Sequence, residues 1–157
     1  MRTLAIINQK GGCGKTTTAI NLSAVFARKG LRTLLVDLDP QSHCAAGLAI
    51  PEERIERDVS DLLALPDTRP LDPNRLLWRV VSGMDLLPSR TKLAAAEAAR
   101  GVLATLPNCE RRLSLALKRL TDEATPRVRR IRRRSLSVTR RCPMPGWWPG
   151  GWRLSPR

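Results

Sequence analysis

The fold of this chain is decided by a glycine-rich stretch near its N-terminus, Lys10-Gly11-Gly12-Cys13-Gly14-Lys15-Thr16-Thr17. The stretch follows a short apolar run at residues 4–7, which predicts a buried parallel strand. It precedes residues 16–28, whose apolar side chains recur at helical spacing. A glycine-rich loop between a strand and a helix is the setting of a phosphate-binding loop. The sequence therefore predicts an α/β fold with a phosphate site at this loop.

Each residue type in the loop suits a nucleotide phosphate. Gly11, Gly12 and Gly14 let backbone N–H groups approach phosphate oxygens without a Cβ atom in the way. The following helix presents further N–H groups and the positive end of its dipole to an anion. Lys15 supplies a positive charge for the β- and γ-phosphates, and the Thr16 hydroxyl can ligate Mg²⁺. The loop therefore predicts a nucleotide with Mg²⁺ as its ligand.

The spacing of the loop selects one variant of this motif. Gln9 stands where the standard G-x-x-x-x-G-K-[ST] loop begins with glycine, and Thr17 stands where a dinucleotide fingerprint needs its third glycine. The pattern K-G-G-x-G-K-[ST], with the additional Lys10, is the deviant Walker A form. A glycine-rich turn with incidental lysines is the alternative, and the number of matching positions disfavours it.

The next hundred residues continue the alternation of strands and helices. Residues 33–36 predict a second buried strand that runs into Asp37-Leu38-Asp39-Pro40, and strand, helix and strand together form a parallel βαβ unit. Beyond it, the patterns predict helices at 59–65, 91–106 and 110–120 and strands at 76–81 and 84–87. The expected fold class is α/β, a P-loop NTPase with a parallel sheet flanked by helices, incomplete at its C-terminus.

Two segments together resemble a known family. Residues 8–22 and 34–41 look like the ParA/Soj chromosome-partitioning branch of the ParA/MinD ATPases. The resemblance is dense over residues 1–47, continues weakly through 85–89 and fades after about residue 120. MinD-type relatives end in an amphipathic membrane helix, and residues 127–134 have too few large apolar side chains for one. The resemblance therefore favours the partitioning branch, with no membrane partner.

The resemblance implies roles for the loop and for the aspartates after the second strand. Lys10 is similar to the signature lysine that reaches the partner's phosphates across a nucleotide-sandwich dimer, and Asp39 to the residue that positions the attacking water. Asp37 would lie near the metal shell beside Thr16. The expected catalytic residues are Lys10, Lys15 and Asp39, the metal ligands Thr16 and Asp37, and the nucleotide-binding residues Gly11, Gly12, Cys13, Gly14, Lys15, Thr16 and Thr17. The structural alternatives are that Asp39-Pro40 opens a turn and that His43 and Cys44 are loop residues rather than ligands.

The function that this resemblance implies is Mg²⁺-dependent ATP hydrolysis in an ATP-dependent homodimer that serves chromosome or plasmid partition. The expected partners are a ParB-like centromere-binding protein and non-specific DNA, and the expected location is the cytoplasm, in association with the nucleoid. The short apolar run at the N-terminus argues against a signal peptide. The four cysteines lie far apart, which favours free thiols over a zinc site or a disulfide framework.

The C-terminal segment differs in composition from the rest. The formal net charge of +14 is concentrated after residue 107, and residues 124–157 hold ten arginines and no acid. Where the family continues with an apolar strand and an aspartate, the Walker B region, this chain has arginines at most positions from 127 to 134. A strand of that composition cannot be buried, because each guanidinium group would need a partner. The segment is therefore not expected to continue the α/β pattern, and ATP hydrolysis is expected to be compromised.

We therefore predict two parts, with residues 1–123 forming the N-terminal part of a deviant Walker A ATPase domain and residues 124–157 a basic, Arg/Pro/Trp-rich tail that is disordered or non-native. Two interpretations of the tail stay open. One is a basic arm that grips nucleic acid through phosphates and stacking, which would make the chain a non-catalytic nucleic-acid-binding protein. The other is truncation or a frameshift after about residue 123, since GC-rich DNA read in the wrong frame yields such a composition.

Overall fold

The computed structural model describes residues 2–66, 68–98, 101–122 and 135–140, with only the main chain described at 121, 122 and 135–140. Strands and helices alternate along most of this length. They are β1 (Arg2–Ile7), α1 (Lys15–Arg28), β2 (Thr33–Leu38), α2 (His43–Gly47), α3 (Val59–Ala64), α4 (Pro73–Leu76), β3 (Trp78–Val81), β4 (Met84–Leu87), α5 (Lys92–Glu97), α6 (Val102–Thr105), α7 (Arg112–Asp122) and β5 (Ser135–Arg140), with 3₁₀ turns at Glu52–Arg54 and Cys109–Arg111.

The strands form one sheet in the order β1-β5-β2-β4-β3. The first four strands of this order run parallel, and β3 runs antiparallel to β4. The antiparallel pair arises because only Ser82 and Gly83 connect β3 to β4, and so short a connection cannot return a chain to a parallel start. Gly83 adopts φ 85° in this turn. The α/β class is confirmed, and the sheet is mixed rather than wholly parallel.

Strand β5 is a departure from the expectation drawn from the sequence, which placed no α/β element after residue 124. Its main chain pairs in parallel with β1 on one side and with β2 on the other. The charge argument concerned residues 127–134, whereas β5 reads Ser-Leu-Ser-Val-Thr-Arg, a period-2 pattern with arginine only at its end. Residues 127–134 lie outside the described residues, and the division of the chain at residue 123 stays a prediction.

Strand β1 also differs from its expectation. The apolar run predicted a buried strand, but most residues of β1 are exposed, including Leu4 at 39% and Ile7 at 55%. The reason is its place in the sheet order. As the first strand, β1 has no strand beside its outer edge within the described part of the chain, and a parallel strand is buried only when its neighbours cover it.

The core lies on both faces of β2, whose six residues are all buried. Leu34, Val36 and Leu38 face a cluster formed with the helices α3, α5 and α7. Leu35 faces the opposite cluster, which includes Ala19 of α1. Successive side chains of a strand point to opposite faces, so one strand supplies both layers. Helix α7 is tied to the end of α3 by Arg112, whose guanidinium group donates to the main-chain oxygens of Leu63 and Leu65.

Two predicted elements have different bounds in the structure. The strand expected at 76–81 begins only at Trp78, because Asp72 caps a short helix with Pro73 at its first position. The helix expected at 91–106 is divided into α5 and α6, since Ala98, with φ −56° and ψ 156°, is not helical and Gly101 precedes the second piece. Throughout the described residues, every helix is too short or too polar to span a bilayer.

Candidate nucleotide-binding site

Two loops leave the sheet at the same edge. Ile7, the last residue of β1, and Leu38, the last residue of β2, both pair with Arg140 of β5. The two strands are therefore level at their carboxyl ends and separated by one strand, which corresponds to about 10 Å. Ligands of open parallel sheets bind at this edge. The glycine-rich loop follows β1 here, and the Asp39 turn follows β2.

The glycine-rich loop adopts the backbone conformation that its glycines allow. Gly12 has φ 69° and Gly14 has φ 80°, both in the left-handed region that disfavours other residues. A Cβ atom added at either position would meet no atom within 4 Å, so glycine is required here by conformation rather than by lack of space. Gly14 is also the N-cap residue, directly before the first residue of α1.

The N-terminus of α1 is open to an anion. No side chain caps it, and its first turn contains no acidic residue. The first hydrogen bond of the helical ladder runs from the Thr18 N–H to the Gly14 oxygen at 2.8 Å, so the N–H groups of Lys15, Thr16 and Thr17 lack helical acceptors. Free N–H groups and the helix dipole together favour a phosphate at this position.

The Lys15 side chain contacts the main chain of the other lysine of the loop, Lys10. The Lys15 ammonium group donates to the main-chain oxygen of Lys10 at 3.2 Å and lies 3.9 Å from the Cys13 sulfur. The Lys10 N–H donates to Asn8 Oδ1 at 2.9 Å, which fixes the entry to the loop. Lys10 is exposed, while Lys15 is half-buried. The Lys15 ammonium group thus lies against the main chain of Lys10 and near the Cys13 sulfur, and the roles of these residues stay predictions.

The two aspartates after β2 are both buried, Asp37 to 1% exposure and Asp39 to 7%. Asp37 Oδ1 accepts the Asp39 N–H at 3.0 Å, and Asp37 Oδ2 accepts the Cys44 N–H at 3.1 Å. Burial raises the pKa of Asp37, the hydrogen bonds from Asp39 and Cys44 lower it in part, and the nearby charge of Asp39 raises it further. Asp37 is therefore a carboxyl group engaged with the backbone of the turn that follows it.

Asp39 opens a turn, which is the structural alternative predicted for Asp39-Pro40. Its Oδ1 accepts the Gln41 N–H at 3.0 Å, and its main-chain oxygen accepts the Ser42 N–H at 2.9 Å. A turn of this kind leaves the second carboxylate oxygen of the aspartate available, so the turn and a role toward water are compatible. His43 and Cys44 begin α2 directly after the turn.

Beside the Asp39 turn, Ser42 and Ser89 are joined by a hydrogen bond that the sequence did not predict. The Ser42 hydroxyl donates to the Ser89 main-chain oxygen at 2.5 Å across 47 residues, and Ser89 is fully buried. Ser42 itself adopts φ 54°, a left-handed conformation that is uncommon for serine. The sequence signal was the familial stretch 85–89, but no local pattern linked it to Ser42.

The residues predicted as metal ligands come from different elements. Thr16 lies in the first turn of α1, half-buried, and Asp37 lies in β2. The part of the chain that the structure describes holds no group of three or more His, Cys, Asp or Glu side chains that could bind a metal by themselves. A cation here would depend on phosphate oxygens, which is how Mg²⁺ is usually bound beside nucleotides. The ligand roles of Thr16 and Asp37 stay predictions.

Comparison with known proteins agrees with this geometry. The family model described as an AAA domain matches residues 1–124. The chromosome-partitioning ATPase Soj of Thermus thermophilus is 49% identical over 96 residues, which are 61% of this chain and 35% of that protein. The chromosome partitioning protein ParA of Myxococcus xanthus is 40% identical over 126 residues, 78% of this chain and 41% of that protein.

A solved structure shares the architecture. Cobyrinic acid a,c-diamide synthase from Mycobacterium smegmatis, crystallised with bound ADP and magnesium, superposes with a TM-score of 0.71 at 33% identity. The match covers 88% of this chain and 50% of that one. The chain thus spans half or less of the length of these relatives. The deviant Walker A loop, the open start of α1 and the match over residues 1–124 agree, and the chain belongs to the AAA domain family of ParA/MinD-type P-loop ATPases.

Proposed function

We propose that this chain binds ATP and Mg²⁺ at loop 10–17 and contributes to a partitioning ATPase of the ParA/Soj type. The observation that carries the proposal is the open N-terminus of α1 behind two left-handed glycines, with the Lys15 ammonium group held over the loop. These groups fit a triphosphate because each supplies a donor or a positive charge and none supplies a negative one. The ADP and magnesium in the related synthase support the same ligand class.

Each predicted residue has a defined task in this proposal. The backbone N–H groups of Gly11, Gly12, Cys13 and Gly14 and the first turn of α1 hold phosphate oxygens, while Lys15 neutralises the β- and γ-phosphates. Thr16 would supply its hydroxyl as a ligand of the Mg²⁺ ion, and Asp37 would lie near the metal shell. Bound Mg²⁺ offsets the charge that develops on the phosphates during hydrolysis.

Hydrolysis depends on Asp39 and Lys10. Asp39 orients the attacking water, a task that its buried, turn-fixed carboxylate suits because phosphoryl transfer depends on positioning. The exposed Lys10 reaches the phosphates of a second copy in an ATP-dependent homodimer, where it acts as an arginine finger does. We expect the rate to be low, since this chain has arginines at most positions from 127 to 134, where the family continues with the apolar strand and the aspartate of the Walker B region.

The biological setting follows from the relatives that are named for partitioning. We propose that the chain acts in chromosome or plasmid segregation, associated with the nucleoid, with a ParB-like centromere-binding protein and non-specific DNA as partners. A second candidate function is a non-catalytic nucleic-acid-binding protein that uses its arginines. The ten arginines without an acid at residues 124–157 favour that candidate.

One variant separates the catalytic proposal from the second candidate. Asp39→Asn keeps an oxygen that can accept the Gln41 N–H, but it removes the negative charge that orients water. We expect unchanged ATP affinity by calorimetry and at least tenfold slower phosphate release. Glu53→Gln, at an exposed position remote in sequence from both loops, is the matched control and should change neither quantity. DNA binding by a chain that binds no ATP would establish the second candidate instead.

A further inference from the structure

We propose that Asp37 is a positioning residue, which locks the turn that carries Asp39 to the start of α2. The assignment of Asp39 as the water-orienting group rests on the proposed function, whereas the lock itself rests on hydrogen bonds within the described residues. The sequence pointed to Asp37 only as a metal neighbour. Its hydrogen bonds in the structure indicate that it holds the turn after β2 in place.

Both oxygens of Asp37 are committed to the backbone of the turn. Oδ1 accepts the Asp39 N–H at 3.0 Å and Oδ2 accepts the Cys44 N–H at 3.1 Å. The Cys44 side chain hydrogen-bonds to the same carboxyl group. Two points five residues apart, one directly after β2 and one in α2, are thus held by a single side chain. The side chain itself cannot move freely, because it is 1% exposed and lies in a strand whose six residues are all buried.

The segment between these two points is closed by its own hydrogen bonds. Asp39 Oδ1 accepts the Gln41 N–H, and the Asp39 main-chain oxygen accepts the Ser42 N–H. Ser42 adopts a left-handed conformation, which is unfavourable for a residue with a side chain and persists only where neighbouring groups impose it. The Ser42 hydroxyl donates to the main-chain oxygen of Ser89, two residues after the end of β4. The turn is therefore held to β2, to α2 and to the segment that follows β4.

The chemistry of the lock requires a carboxylate. Two backbone N–H groups approach from different sides, and a carboxylate has an acceptor oxygen for each. Asparagine keeps one acceptor and turns an NH₂ group toward the other N–H, so that one buried donor loses its partner. Asp37→Asn preserves the volume of the side chain and should release one end of the turn while the strand remains.

The thiol of Cys44 reports on this release. Cys44 is fully buried, whereas Cys13 and Cys109 are exposed. In the 157-residue chain with Cys13, Cys109 and Cys142 changed to serine, Cys44 is the single thiol, and the rate of its reaction with a disulfide reagent measures opening of the start of α2. We expect Asp37→Asn to speed this reaction at least tenfold. Asp85→Asn is the matched control. Asp85, at the start of β4, is only 5% exposed, and it forms an ion pair with Arg79 outside the turn. A change of less than twofold in Asp37→Asn, or an equal gain in Asp85→Asn, would overturn the proposal.

Hydrogen exchange of the unaltered chain provides a second test that needs no variant. The amides of Asp39 and Cys44 should exchange at least tenfold more slowly than the His43 amide between them. Exchange of all three at one rate would overturn the lock, even if Asp37→Asn does not fold.

ATP measurements separate this proposal from the proposed function. A positioning role predicts that Asp37→Asn slows phosphate release while the ATP dissociation constant and the Mg²⁺ concentration for half-maximal binding stay within twofold. A metal-ligand role predicts that the Mg²⁺ requirement rises at least tenfold, and that result would overturn the positioning role. If the parent chain binds no ATP, the proposed function fails, whereas the Cys44 rates and the amide exchange still decide the lock.

Discussion

The ammonium group of Lys15 donates to the main-chain oxygen of Lys10 at 3.2 Å, so the glycine-rich loop is closed on itself by one of its own lysines. This carbonyl is a neutral acceptor, whereas a phosphate oxygen is charged and forms a stronger hydrogen bond with an ammonium group. A nucleotide can therefore replace the Lys10 oxygen as the partner of Lys15. We therefore expect Lys15 to exchange this carbonyl for a phosphate oxygen when a nucleotide binds.

Lys15→Ala tests this arrangement. The variant removes a charge-assisted contact worth about 1.5–3 kcal/mol, and ATP affinity should fall about ten- to hundredfold. Lys29→Ala is the matched control, because Lys29 lies exposed at the opposite end of α1 and should leave the affinity unchanged. Calorimetric titration with ATP and Mg²⁺ measures both. Equal affinity in the parent and in Lys15→Ala would contradict the P-loop assignment.

The arginines of the C-terminal segment should bind DNA without sequence preference. Replacement of the six arginines at 127, 129, 130, 132, 133 and 134 by glutamine should weaken duplex binding at least tenfold. It should also reduce the salt slope by about 0.9 for each phosphate contact that is lost. Replacement by lysine is the control, since it keeps the charge and should keep the binding. ATP affinity should stay within twofold in both variants, and a parallel loss of ATP affinity would show that the segment supports the nucleotide site.

Strand β5 can be tested with a proline. Ser137 pairs with Leu4 on one side and Leu35 on the other, so its backbone lies in the middle of the sheet. Ser137→Pro removes an N–H from a strand that has neighbours on both edges, and we expect the free energy of unfolding to fall by about 1–3 kcal/mol. Leu154→Pro, beyond the strand, is the control. Urea titrations compare the variants, and an unchanged midpoint in Ser137→Pro would show that β5 does not contribute to stability.

Asp37 predicts a pH dependence of stability. Its pKa is raised from the ordinary value of 3.8, chiefly by burial. The carboxyl group of Asp37 therefore holds a proton more readily in the folded chain than in the unfolded chain. The resulting stabilisation is complete below the unfolded pKa and is lost as the pH rises through the folded pKa. Relative to Asp37→Asn, the parent chain should therefore gain stability as the pH falls from 7 toward 4. Urea titrations with a chelator present measure this difference, and a difference that is constant or shrinks would contradict the shift.

The local features of the site could be predicted from the sequence because they depend on near neighbours. The left-handed turns at Gly12 and Gly14, the start of α1 and the placing of Lys10 and Lys15 in one loop involve residues no more than a few positions apart. The buried strand β2 could also be predicted from the sequence, since a continuous apolar run predicts a strand that is covered on both faces. The family resemblance rested on the same residues, and the match over residues 1–124 agrees with it.

The remaining features needed the tertiary structure, because they join residues that are distant along the chain. No local pattern shows that Ser135–Arg140 pairs between β1 and β2, or that Leu4 and Ile7 are exposed as a result of the strand order. The same holds for the Ser42 hydroxyl on the Ser89 oxygen. The family resemblance made Asp37 a candidate near the metal, whereas its contact with the Cys44 N–H depends on how the chain turns after β2. Strand pairing and buried hydrogen bonds are fixed by which segments meet in space, and that is decided only when the whole sheet assembles.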